Sequence, residues 1–181
     1  YYEGIPLWVV GPGVRTGVPI HTDNPREVGS DRVVHALAAN EIYGGPAIVV
    51  DLNGTATVFD VIDQQGRYIG GAIAPGIEVS LDALAQRSAQ LRSVEITAPR
   101  DAIGKNTIEA LQSGAVFGFA GLIDALVERM IESLGPEATD VAVIGTGPHA
   151  SAVLDECETI THRDSKLTLK GLQFVAARNG H

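Results

Sequence analysis

The chain has 181 residues, 45% of them apolar, and sets 13 Lys and Arg against 22 Asp and Glu for a formal charge of −9. That is enough apolar material for one sizeable core and too short for a second full domain, and the scattered bases exclude the clustered positive face that a nucleic acid or an anionic membrane requires. The single Cys157 excludes an internal disulfide framework and reads as a small helix-packing residue; with no signal-peptide layout and no run near 20 apolar residues, the expected location is cytoplasmic.

The chain opens without Met, and Leu7-Trp-Val-Val10 reads as a strand running into Gly11-Pro-Gly13, as though the sequence started inside a fold. Val18-Pro-Ile-His21 leads to the polar turn Thr22-Asp-Asn-Pro25. Val33, Val34, Leu37 and Ala38 then recur at helical spacing, with Asp31 and Arg32 at the helix start and Gly44-Gly45 as its stop. Strands follow at about 46–51, 56–63 and 67–74, the last two joined as a hairpin by Asp63-Gln-Gln-Gly66. Val79, Leu81, Leu84 and Leu91 suggest a helix after Pro75-Gly76, and a looser stretch runs through Pro99. The longest helical pattern spans Asn106 or Thr107 to Leu134. Gly114, Gly118 and Gly121 inside it point either to close backbone packing or to a kink that splits the helix. Val141 to Ile144 makes another strand, Gly145-Thr-Gly147 opens a short helix through Leu154, Ile160 marks a short extended piece, and a closing helix runs from Leu167 to Ala177. Strand hairpins followed by helix, strand and helix give an α/β layer with a mixed sheet covered by helices.

Chemistry concentrates at two places. Asp51-Leu-Asn-Gly-Thr-Ala-Thr57 puts a polar tip between two β-branched runs: Gly54 lets backbone approach an anion, Thr55 and Thr57 offer hydroxyls, and Asp51 can hold a cation against a phosphate. Asp31 and Arg32 place a carboxylate and a guanidinium together at a helix start, suited to taking a hydroxyl proton and gripping a substrate carboxylate. A solvated helix-start charge pair is the plainer reading of the same residues. The five histidines read as surface or capping residues, since none has metal-ligand spacing.

Taken in order and spacing, Gly11 to Gly17, Asp23 to Arg32, Asp51 to Thr57, Gly70-Gly-Ala-Ile-Ala-Pro-Gly76, Gly104 to Gly114, Leu167 to Leu172 and Arg178-Asn179 resemble type III pantothenate kinase over nearly the whole chain. The resemblance implies a ribonuclease-H-like, actin-like ATPase fold. It makes residues 1–181 one α/β domain, the C-terminal part of a two-domain kinase whose first domain is largely missing, in a homodimer. It also implies ATP-dependent phosphorylation of pantothenate, the opening step of coenzyme A synthesis. On it Asp31 would be the base, and Gly29, Ser30, Asp31, Arg32 and Thr107 would hold pantothenate. Gly54 and Thr55 would meet ATP, Asp51 would bind K⁺ or NH₄⁺, and Mg²⁺ would accompany ATP.

Four features depart from the family pattern. An Asp-x-Gly-Asn-Thr phosphate motif at the family's start is absent. Asn53 reads as an insertion that can swing Asp51 out of register with Thr55 unless a bulge absorbs it. Thr22 stands where many members have Tyr, and Pro148 removes a backbone donor at a helix start. Two readings follow from these: a pantothenate kinase lacking its first domain, or a catalytically impaired member acting as a dimeric binding or regulatory protein.

Overall fold

Strand β1 (Ala47–Leu52) is buried along its whole length, because it lies at the centre of a five-stranded sheet with helices on both faces. The computed structural model describes residues 9–11, 14–87, 94–148 and 151–180; Leu7, Trp8, Pro12, Gly13 and Leu91, which the sequence reading used, fall outside them. In chain order the elements are α1 (Ser30–Tyr43), β1, β2 (Ala56–Ile62), β3 (Tyr68–Pro75), α2 (Ile77–Arg87), α3 (Thr107–Leu134), β4 (Ala142–Thr146), α4 (Ser151–Leu154), β5 (His162–Arg163) and α5 (Leu167–Asn179). The sheet order is β3-β2-β1-β4-β5; β2 is antiparallel to both neighbours, while β4 and β5 run parallel to β1. This mixed sheet with two helical layers is the ribonuclease-H-like arrangement the resemblance implied.

Alternation along the strands sorts the core into two halves. Ala47, Val49, Ile62, Tyr68 and Ile144 pack with Val34 and Leu37 of α1 and with Leu167 and Val175 of α5. Ile48, Val50, Leu52, Phe59, Val61 and Val143 face Ile77 of α2, Val116, Ile123 and Val127 of α3, and Leu154 of α4. Helices α1 and α5 meet closely at Gly171, where a Cβ would collide with the Val34 carbonyl.

Helix α3 is continuous from Thr107 to Leu134. Its N-cap is Asn106, whose side chain accepts from the Glu109 amide at 2.9 Å, and Thr107 is the first helical residue. Gly114, Gly118 and Gly121 are exposed and a Cβ at any of them would meet no atom within 4 Å, so neither close packing nor a break accounts for them within one protomer. By length and composition α3 is apolar enough to cross a membrane, contrary to the run-length expectation; in this fold its Ala115, Val116, Ala120, Ile123 and Val127 are buried in the core.

Candidate functional site

Chain geometry brings the two chemical segments together. A helix of 14 residues rises about 21 Å and a strand of six about 20 Å. Gly44, Gly45 and Pro46 connect α1 to β1, so α1 runs back across the sheet and its first turn stands level with the C-terminal end of β1. Asp31 and Arg32 therefore share one sheet edge with Asp51. Parity adds the rest: Asp51 on β1 and Asp60 on β2 are on the α1 side, since each is in step with the residues packed against α1.

Arg32 is held on three sides. Its Nε donates to Asp60 Oδ1 at 2.6 Å, its Nη2 donates to the Phe59 carbonyl at 3.1 Å, and its guanidinium carbon lies 5.6 Å from the centre of the Tyr68 ring. Gly71 makes the approach possible, because a Cβ there would strike the Phe59 carbonyl and crowd Nη2. Asp31 is exposed on the first turn of α1, its carboxylate folded into the space left by the missing side chain of Gly29, the N-cap. Ser30 is exposed beside it.

Between these groups lies His35, which is 2% exposed and corrects the reading of all five histidines as surface or capping residues. Its Nε2 is 2.8 Å from Thr168 Oγ1 on α5, and its Nδ1 is 3.7 Å from Asp60 Oδ2. Both Nδ1 and Oδ2 are buried and lack a hydrogen-bond partner at that separation. The facing carboxylate favours the proton on Nδ1, which leaves Nε2 to accept from the Thr168 hydroxyl. The one signal in the sequence was position: His35 is one turn beyond Asp31 on the stripe that carries Val34 and Ala38.

Asp51 lines a cavity of about 490 Å³ with Asn53, Gly145, Thr146, Gly147, Pro148, Ser151, Arg163 and Thr168. The cavity lies off the C-terminal ends of β1 and β4, where the strand order reverses and open α/β sheets generally take their ligands. Burial pushes the Asp51 carboxyl up; His35 and the Asn53 hydrogen bond oppose this, and Asp60 and Asp31 add to it. Asn53 does not disturb the register. Asp51 pairs with Val58 and Leu52 with Thr57, and the only shift between β1, β2 and β3 is at Val61 and Ile62 on the far ladder. The extra residue is absorbed in the turn, where Asn53 donates to Asp51 Oδ2 at 3.3 Å and accepts from the Ala56 amide at 3.1 Å. Gly54, at φ 89°, is buried, and Thr55 is exposed with its carbonyl accepting from the Gly76 amide at 2.9 Å.

Pro148 stands ahead of α4 (Ser151–Leu154), and residues 149 and 150 between them lie outside the described residues. Thr107 is exposed at the start of α3 and is not among the groups surrounding Asp51.

A profile of the family described as Type III pantothenate kinase matches residues 1–129. The chain belongs to the type III pantothenate kinase family. A type III pantothenate kinase of Nocardioides sp. is 61% identical over 171 residues, covering 94% of this chain and 66% of the relative. That of Thermobifida fusca is 55% identical over 179 residues, covering 99% and 69%. The chain thus spans about two thirds of the length of these relatives. A crystal structure of a Baf family protein from Campylobacter jejuni superposes with a TM-score of 0.60 at 22% identity, over 86% of this chain and 66% of that one, a likeness of fold. Members of this kinase family use ATP and pantothenate as substrates, with a divalent metal accompanying ATP.

Proposed function

We propose that this chain carries the acceptor side of the family's reaction, transfer of the ATP γ-phosphoryl group to the primary hydroxyl of pantothenate to give 4'-phosphopantothenate. The observation that supports this best is the convergence of Asp31, Arg32 and Asp51 on one sheet edge. Asp31, with no cation paired to it among the described residues, accepts the hydroxyl proton; Gly29, Ser30 and Arg32 hold the acid substrate, and Thr107 contacts it from the start of α3. Gly54 and Thr55 meet ATP, whose Mg²⁺ neutralises phosphate charge when bound.

The oxygen donors of Asp51 and Thr146 suit a hard monovalent cation, K⁺ or NH₄⁺, because Asp51 is buried and, among the described residues, has no ion pair to neutralise it. In this reading the sheet is the C-terminal of two such domains, in a cytoplasmic homodimer.

The test is pantothenate-dependent ADP formation with Mg²⁺ and K⁺, measured on this chain alone and joined to the remaining third of the Nocardioides relative. Turnover that drops by roughly 10²–10⁴-fold in Asp31→Asn is expected. Silence in both forms, or equal rates for wild type and Asp31→Asn, overturns the reading.

A further inference from the structure

Arg32 has little freedom of its own. An arginine on the first turn of a helix ordinarily samples many rotamers in water, and ordering it at substrate binding costs side-chain entropy. Here the cost is met in folding, because Asp60 fixes the Nε edge, the Phe59 carbonyl takes Nη2, Tyr68 lies against the guanidinium, and Nη1 remains for a ligand. The Arg32 side chain is 17% exposed, so part of it reaches solvent, while Asp60 is fully buried and cannot touch a ligand.

We propose that Asp60, flanked by His35, is a positioning residue that fixes Arg32 for a substrate carboxylate. The proposal rests on the reading of Arg32 as the substrate-gripping cation. Asp60 divides its two oxygens between two tasks. Oδ1 holds Arg32, and Oδ2 faces His35 Nδ1, whose ring is in turn fixed by Thr168 in the cavity wall. Arg32 is thus what fixes the carboxylate, while His35 flanks its second oxygen and, through Thr168, joins the acid-binding corner to the cavity beside Asp51. The cost of burying Asp60 is offset by Arg32, and an unpaired buried carboxylate would be strongly unfavourable.

Calorimetric titration with pantothenate and with pantothenol, its uncharged alcohol counterpart, separates this role from a structural one. Wild type should prefer the acid. Asp60→Asn should weaken pantothenate binding by about tenfold or more, as expected for loss of a charge-assisted contact, and leave pantothenol within twofold. Arg32→Ala should match it, and the double variant should lose no more than either, since both remove one interaction. If Asp60→Asn does not fold, His35→Gln carries the test, with a loss of about threefold confined to the acid. Equal losses for both ligands, or unchanged acid binding, overturn the proposal. Wild type that binds neither ligand rejects the function reading, and the proposal falls with it; wild-type preference for the acid that survives in Asp60→Asn rejects the proposal alone.

Discussion

At the level of one side chain, burial sets the proton affinity of Asp51, the proposed cation ligand. Its carboxyl is raised by desolvation above its usual value of 3.8, so the native chain holds this proton more tightly than the unfolded chain does. Its contribution to stability is fully present below 3.8 and is lost as pH rises through the higher native value. Asp51→Asn should therefore raise Tm at pH 7 in buffer free of K⁺ and leave it nearly unchanged below pH 4. Potassium should then raise the Tm of wild type and not of the variant. A lower Tm for Asp51→Asn at pH 7 would show that the carboxylate is already compensated without a cation. The residue types at this edge could be read from the sequence, and so could the place of Asp31 and Arg32 side by side at the start of α1. Asp60 and His35 could not, because their importance comes from strand parity and from α1 lying across the sheet, neither of which a local pattern contains.

At the scale of elements, the hairpins and the long helix were legible because alternation, turn residues and a 3.6-residue repeat each leave a strong local mark. The strand boundaries shift by only a residue or so, from 46–51 to Ala47–Leu52 and from 67–74 to Tyr68–Pro75. Asn53 left two outcomes open in the sequence for a physical reason: an added residue flips strand faces only when the ladder must absorb it, and here the turn closes over it with two side-chain hydrogen bonds. The glycines mark a second difficulty, since a sequence does not distinguish a glycine that admits a neighbour from one facing open space. Gly171 is the first kind. Gly171→Val should cost roughly 1–3 kcal/mol in urea unfolding by forcing α5 off α1, and should also weaken the Thr168 contact to His35. A variant as stable as wild type would show that the two helices part without penalty.

At the scale of the whole molecule, the face of α3 bearing Gly114, Gly118 and Gly121 meets no neighbour at those glycines among the described residues. In an isolated protomer Gly118→Ala should stabilise by ~0.5–1 kcal/mol, since alanine suits an exposed helix better. If the proposed homodimer closes on this face, the same substitution should shift sedimentation toward monomer and lower Tm in a concentration-dependent way. A stabilised chain whose sedimentation is unaltered would move the dimer contact elsewhere. The tight connection from α1 to β1 has a wider consequence. Asp31 and Arg32 at one end of that unit, and Asp51 at the other, ride on a single stiff hairpin of helix and strand, like the fixed jaw of a calliper. Any adjustment to ligands of different size must then come from the opposing side, the 53–55 and 145–148 turns, and exchange between open and closed forms should be recorded by their amides while those of α1 stay still.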